Sequence, residues 1–246
     1  MNADYAEFNS SRLAEIYDSF CPLGTDSDFF LNEVRKVKPR AVLDVGCGSG
    51  ILTVELAKIA DKVIGVEPAL PMLEVARRRA EGNKVTWVQG YAKDITGVTV
   101  DVIIMTSHVA QFMLDEDEWQ STLKHLNSLL KPGGKIIFDS KNPLAKPWSS
   151  WNKENTIRSA DTAHGKVMMW TELLSVVGSR VQYQLYYMFD SGEVLVSNNE
   201  LVYRTKEILI DSLNEAGFEV EEIYGDWDGS VADDFSEEMI FVARKS

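Results

Sequence analysis

Cysteine is nearly missing from the sequence: Cys21 and Cys47 are the only two in 246 residues, too few for the disulfide framework of a secreted scaffold. Positive charge is also scarce. Lys and Arg number 25 against 38 Asp and Glu, a formal net charge of −13, with local acidic excess over residues 115–118 and 226–238. Such a surface repels phosphate backbones and anionic lipid, which argues against nucleic acid and membrane partners. No run approaches the ~18 apolar residues of a membrane helix. Met1-Asn2-Ala3-Asp4-Tyr5 supplies neither a basic nor an apolar leader region, so a cytoplasmic protein is expected. No Pro-, Gly- or Ser-rich linker or low-complexity stretch divides the chain, and its length suits one sizeable core. One domain over residues 1–246 follows. His, Cys and acidic residues form no cluster at metal-ligand spacing, so no catalytic metal is expected.

What the sequence does contain is organised around Ala41-Val42-Leu43-Asp44-Val45-Gly46-Cys47-Gly48-Ser49-Gly50. The apolar run reads as a buried parallel strand, the three glycines as a tight turn, and Ile51 onward as a helix with Leu52, Leu56, Ile59 and Ala60 on one face. Glycine permits positive φ and lets a ligand lie against the main chain, and a helix start favours a polar or anionic group. Two readings compete. A dinucleotide fingerprint requires G-x-G-x-x-G, whereas here the third glycine comes one residue early and Asp44 stands two residues before the first.

Ahead of this loop, Leu13, Ile16, Tyr17 and Phe20 recur at helical spacing, and a second helix is expected over residues 28–37. Residues 1–38 thus form a helical cap. After the loop, residues 62–67 read as a strand with Glu67 at its carboxyl end, where doubly wound nucleotide folds place the acceptor for ribose hydroxyls. A helix starts at Pro68, with Met72 either in the core or against an adenine face. Strands over 85–90 and 100–105 end in Gly90-Tyr91-Ala92 and Thr106-Ser107-His108. The second of these ends lies at the switch-point side of the sheet, where ligands bind. A helix over 116–130, a Lys131-Pro132-Gly133-Gly134 turn and a strand over 135–139 complete a core at 39–140. Beyond it, residues 166–176, 180–189 and 194–204 alternate with period two between glycine turns, which predicts a three-stranded antiparallel meander. This insertion, residues 165–204, either covers the acceptor side or forms a dimer surface. Thr205 caps a closing helix, and strands over 218–224 and 238–243 finish residues 205–246.

The spacing Asp44-x-Gly46-x-Gly48-x-Gly50, followed in order by Glu67, Gly90, the Thr106-Ser107-His108 strand end and Leu130-Lys131-Pro132-Gly133-Gly134, resembles class I S-adenosylmethionine-dependent methyltransferases. The resemblance covers residues 41–139, and the final helix and strands extend it. It implies an α/β fold with a Rossmann-like seven-stranded sheet whose last strand is antiparallel, S-adenosylmethionine as donor and S-adenosylhomocysteine as product. It further implies a cofactor site made of Asp44, Gly46, Cys47, Gly48, Gly50, Glu67, Pro68, Met72, Gly90, Tyr91, Ala92, Thr106 and Ser107. Tyr17, in a Tyr17-Asp18 pair, closes over the cofactor or simply packs. Many relatives carry Gly-Asp-Ala where this chain has Gly90-Tyr91-Ala92. Main-chain contacts, and the Tyr91 ring over the base, are therefore expected in place of a carboxylate.

The implied chemistry is in-line displacement at a sulfonium methyl, driven mainly by alignment of the reacting groups. A base is needed only for a protonated acceptor. His108 is the candidate, acting as base or merely orienting the substrate; His125 is assigned to a helix on the sheet and His164 to a loop. With His108, the residues Gln111, Trp148, Trp151, Tyr183, Tyr186 and Arg204 are expected to line a pocket for a small-molecule acceptor of N- or O-methylation. The alternatives are a non-catalytic binder of S-adenosylmethionine or S-adenosylhomocysteine and, more distantly, an NAD-dependent oxidoreductase. A monomer or homodimer is expected.

Overall fold

Short β-branched runs bounded by Gly, Asp and Lys make the central strands. In the computed structural model, which describes residues 3–246, they pair into one seven-stranded sheet of order β10-β11-β5-β4-β1-β2-β3. Met1 and Asn2, part of the stretch read for a leader, lie outside the described residues. Strands β1 (Ala41–Val45), β2 (Lys62–Glu67), β3 (Val85–Gln89), β4 (Val100–Met105) and β5 (Leu130–Lys141) run parallel. β11 (Glu238–Lys245) is antiparallel to both β5 and β10 (Phe218–Tyr224). From β1 the chain builds outward through β2 and β3, then restarts on the other side of β1 with β4. The carboxyl ends of β1 and β4 therefore diverge into a crevice, the place where open α/β sheets bind ligands.

β1 is buried along its whole length, so both of its faces feed a core. Leu43, Val45 and Met105 pack with Trp119, Leu123 and Leu126 of α7 (Glu116–Leu129) and with Leu209 and Leu213 of α9 (Lys206–Glu215). Val42, Val102 and Ile104 pack on the other face with Phe30 and Val34 of α3 (Thr25–Val37) and Leu52 and Leu56 of α4 (Ile51–Leu56). Each such side chain, fully buried, contributes roughly 1.5–3 kcal/mol before the entropy of ordering is subtracted. Local chemistry sets the boundaries: Asp115 accepts from the Glu118 N–H at 2.9 Å to start α7, and Thr205 accepts from the Ile208 N–H at 3.4 Å to start α9. The predicted Pro-Gly-Gly turn is an interruption inside β5. Val100 pairs with Leu130 but Val102 pairs with Lys135, so residues 131–134 loop out of register.

The antiparallel insertion has one more strand than its periodicity indicated. β6 (Arg158–Thr162) pairs with β7 (Gly165–Val177), followed by β8 (Arg180–Phe189) and β9 (Val194–Val202). Arg158-Ser159-Ala160-Asp161-Thr162 is a polar edge strand with no apolar alternation to reveal it; the backbone ladder to β7 holds it. One face of this second sheet receives the amino-terminal helices. Leu13, Ile16 and Phe20 of α2 (Ser11–Phe20) pack on Val167, Met169, Tyr187 and Phe189. The short helix α1 (Ala6–Asn9) is tied to β9 where the Asp4 and Tyr5 N–H groups donate to the Asn198 carbonyl at 2.9 and 3.2 Å. The remaining helices are α5 (Leu70–Arg77), α6 (Val109–Phe112) and α8 (Lys153–Thr156).

Candidate active site

A single cavity of about 1440 Å³ opens at the carboxyl ends of β1 and β4 and reaches the second sheet. Its floor is the glycine loop. Gly46, Gly48 and Gly50 all have positive φ, 72°, 52° and 74°. At Gly46 a Cβ would stand 2.5 Å from a methyl of Val109, so this position requires glycine on both counts. The loop's own amides are mostly used internally. Gly46 and Cys47 donate to the Val66 carbonyl at 2.8 and 3.1 Å, and Gly50 donates to the Cys47 carbonyl at 2.9 Å. The loop thus provides shape more than free N–H groups, contrary to expectation. Gly50 does not line the cavity; it caps α4, and its Cα faces Trp87 and Ala76.

Two acids stand at this end. The Thr53 hydroxyl donates to Asp44 Oδ2 at 2.6 Å, while Asp44 Oδ1 is buried with no partner. Burial pushes the Asp44 carboxyl up to about 7, with the nearby Glu67 charge adding to the effect against the Thr53 hydrogen bond. Glu67, also buried, accepts the Gly48 N–H at 3.2 Å and the Ala69 N–H at 2.9 Å. Burial raises its pKa and those two donors oppose the rise. Cys47 and the buried Met72 line the cavity beside them, and burial also pushes the Cys47 thiol up. Pro68, Gly90, Tyr91 and Ala92 form the rim. Tyr91 is 57% exposed and its N–H already donates to Asp94 at 2.8 Å, so that N–H is not available for the main-chain contact expected there.

The cap is fastened to the loop from above. The Ser49 hydroxyl donates to Asp18 at 2.5 Å, and Arg79 pairs with Asp18 and donates to the Ser49 carbonyl at 2.7 Å. Tyr17, the neighbour of Asp18, lines the cavity against Phe8, with ring centroids 5.8 Å apart.

At the end of β4, Thr106 is followed by two consecutive non-glycine residues with left-handed backbone, Ser107 (φ 57°) and His108 (φ 63°). Each costs roughly 1–3 kcal/mol unless its surroundings hold it there. Asp139, from the neighbouring end of β5, does so by accepting the His108 N–H at 2.9 Å. The His108 Nε2 lies 2.9 Å from Glu238 Oε2 and 3.1 Å from Asp139 Oδ2. Lys141 Nζ donates to Glu238 Oε1 at 2.5 Å. Burial alone would hold the imidazole down, but the Asp139 charge and the Glu238 hydrogen bond outweigh it and its pKa is raised. Burial pushes Asp139 up to about 6, and His108 and Lys141 offset burial at Glu238, which lies below its ordinary value. His108, Asp139 and Glu238 come close enough to hold a metal ion, a grouping from three strand ends that linear spacing did not show. Here the two carboxylates are engaged by the imidazole and the Lys141 ammonium.

The far wall comes from the second sheet, and here strand alternation corrects several assignments. Tyr183 and Tyr187 line the cavity, and Trp151 leans on Tyr183 at 4.7 Å between centroids. Tyr186, three positions from Tyr183, necessarily points to the opposite face. It stacks on Trp170 at 4.9 Å and donates to Gln184 at 2.8 Å. Trp148 packs edge-on against Tyr203 and does not line the cavity. Arg204 is 2% exposed and away from the cavity, with its donors taken by Glu116 and by the Ala110 and Met113 carbonyls. Gln111 borders the cavity, but both ends of its amide serve main chain. Nε2 donates to the Val202 carbonyl at 3.2 Å, and Oε1 accepts the Lys141 N–H at 3.1 Å. His125 contacts the Ile95 carbonyl at 3.0 Å, and His164 pairs with Glu15.

Sequence reasoning missed Glu7, Asp139, Tyr187, Glu238 and Lys141. Asp139 carried a usable signal, being an acid at the carboxyl end of the strand beside β4. Tyr187 could have been paired with Tyr183 by period two. Glu7 lies in an unpatterned polar stretch and Glu238 at the start of an expected strand, and only the fold brings them in.

Residues 42–134 match a family described as a methyltransferase domain. A protein of Geobacillus sp. (strain WCH70) named as a methyltransferase is 26% identical over 223 residues, covering 87% of this chain and 88% of that protein. Among solved structures, an S-adenosylmethionine-dependent methyltransferase from Clostridium acetobutylicum ATCC 824 superposes with a TM-score of 0.77 at 16% identity, over 95% of this chain and 97% of that one. An amino pentose methyltransferase from Micromonospora echinaspora, solved with S-adenosylmethionine bound, gives 0.69 at 21% identity over 94% of both chains.

Proposed function

We propose that the chain is a class I S-adenosylmethionine-dependent methyltransferase, as its matches to a methyltransferase domain and a methyltransferase relative support, and that it methylates a small-molecule acceptor held between His108 and the aromatic wall of the second sheet. The observation that carries this reading is the continuity of the cavity. Its volume of about 1440 Å³ exceeds the roughly 300–1,000 Å³ of a single ligand pocket, and it joins the glycine loop to Tyr183 and Tyr187. Cofactor and acceptor have room side by side.

The residues suit the cofactor. Asp44 Oδ1, buried without a partner, is available to the amino-acid end. Glu67 retains lone pairs beyond those used by Gly48 and Ala69 and can accept vicinal hydroxyls. Met72 and Ala92 offer apolar surface to the base. When bound, S-adenosylmethionine supplies a methyl group already activated on sulfur.

The chain's own contribution is alignment, exclusion of water and control of one proton. Tyr17 and α2 close the cavity above the glycine loop, pinned by Asp18. His108 Nε2 is committed to Glu238 and Asp139, which leaves Nδ1 to take a proton from the acceptor. Positioning of this kind supplies up to ~7–11 kcal/mol in favourable cases. Calorimetric titration with S-adenosylmethionine, S-adenosylhomocysteine and NADH, followed by methyl-transfer assays on amine and hydroxyl acceptors, tests the reading. Saturable binding of the first two is expected. Binding of NADH alone, or of none of them, would overturn it.

A further inference from the structure

Glu7 is 3% exposed, yet it borders the cavity, beside β9. Its carboxylate accepts the Ser197 hydroxyl of β9, with the Asn199 amide alongside, and its N–H donates back to the same hydroxyl oxygen at 3.4 Å. Those partners are neutral. Among the described residues no Lys, Arg or His forms an ion pair with it. Every cation near the cavity with an assigned ionic partner is committed elsewhere: Lys141 to Glu238, Arg180 to Glu200 and Arg79 to Asp18. Arg158 stands over the Phe20 ring.

A buried carboxylate without a counter-charge is costly, by several kcal/mol if ionised. Burial accordingly holds the Glu7 carboxyl above its ordinary range, and Asp4 adds to the rise. What surrounds the group is aromatic. Its partner Ser197 pairs with Leu185 in the β8–β9 ladder, so Tyr183 and Tyr187 flank that position on the same face, and both line the cavity together with Phe8 and Tyr17, whose ring centroids lie 5.8 Å apart. A carboxylate backed by electron-rich ring faces is a receptor for an alkylammonium group, since the rings attract a cation and the acid neutralises it.

We propose that Glu7 is the counter-charge for a cationic nitrogen of the methyl acceptor, bound among Tyr17, Tyr183 and Tyr187. The inference rests on the methyltransferase reading and narrows its acceptor to one bearing a basic amine. An alcohol of the same shape lacks the charge and leaves Glu7 unmatched, so the site discriminates between the two.

The test uses the full chain saturated with S-adenosylhomocysteine and a matched pair of probes, 2-phenylethylamine and 2-phenylethanol, titrated calorimetrically into wild type and Glu7→Gln. Wild type should prefer the amine by tenfold or more, and Glu7→Gln should bind both probes equally while keeping its affinity for S-adenosylhomocysteine. Equal affinity of the two probes in wild type, including binding of neither, would overturn the proposal, as would a preference that survives in Glu7→Gln. Because Glu7 also ties α1 to β9, infrared difference spectra of wild type provide an independent check. The amine should shift a carboxyl or carboxylate band of wild type and the alcohol should not; absence of that shift also overturns the assignment. Failure of wild type to bind S-adenosylhomocysteine at all would instead sink the underlying methyltransferase reading.

Discussion

Asp44→Asn is expected to stabilise the free protein at alkaline pH while weakening cofactor binding. Asp44 is 1% exposed, has one oxygen without a partner, and is pushed up to about 7 chiefly by burial. In the unfolded chain its pKa is about 3.9. The folded value is the higher one, so the group's favourable contribution is complete below about pH 4 and is lost as pH rises through 7. A shift of about three units corresponds to roughly 4 kcal/mol, at 1.36 kcal/mol per unit. Asparagine is neutral throughout and its carbonyl can still accept the Thr53 hydroxyl. The difference in unfolding free energy, variant minus wild type, should therefore grow by about 2–4 kcal/mol between pH 4.5 and pH 8.5. Urea denaturation at those two pH values measures it. Over the same pair, affinity for S-adenosylmethionine should fall by about 1.5–3 kcal/mol, the range for a lost hydrogen bond to a charged group. A stability difference that stays flat with pH would refute the buried-carboxylate argument, whatever the binding result.

Glu67→Ala should weaken S-adenosylhomocysteine binding about 10- to 150-fold, equivalent to 1.5–3 kcal/mol; an unchanged Kd removes Glu67 from the site. Glu238→Gln should lower the pKa of His108, because it removes a charge that raises it. The acid limb of the rate profile, and the imidazole titration followed by NMR, should both move to lower pH; a limb that stays put separates His108 from proton transfer. Arg204→Ala should cost about 2–5 kcal/mol of stability, since it leaves two main-chain carbonyls of α6 and its following turn without their donor at about 1–3 kcal/mol each, while the exposed Glu116 loses little. A thermal midpoint equal to wild type would show that the bracket is dispensable.

How far the sequence could be read follows from the range of each interaction. β1, the glycine turn and Glu67 were legible because strand, turn and helix succeed one another within some 25 residues, and positive φ at Gly46 leaves a local mark. The seven-stranded sheet and its closing antiparallel strand came with the resemblance that the motif order carries, while the order of the strands came from the structure. The Lys131-Pro132-Gly133-Gly134 segment was correctly seen as a break, though it interrupts a strand instead of preceding one. The edge strand β6 had no apolar alternation, since its stability comes from main-chain pairing that side chains do not encode.

The site divides along the same line. By itself the sequence determined the glycine-loop end of the cavity, which is built from one contiguous βαβ stretch where spacing is geometry. Only the tertiary structure decided the opposite end. His108, Asp139 and Glu238 meet because β4, β5 and β11 are neighbours in the sheet, although 130 residues separate the first from the last. Tyr183 faces the cavity while Tyr186 does not because pleating fixes one phase, and composition cannot show which phase is buried. Glu7 becomes an isolated acid among aromatic rings only after α1 docks on β9. A charge's meaning depends on what surrounds it in space, and that is set by packing between segments far apart in the chain.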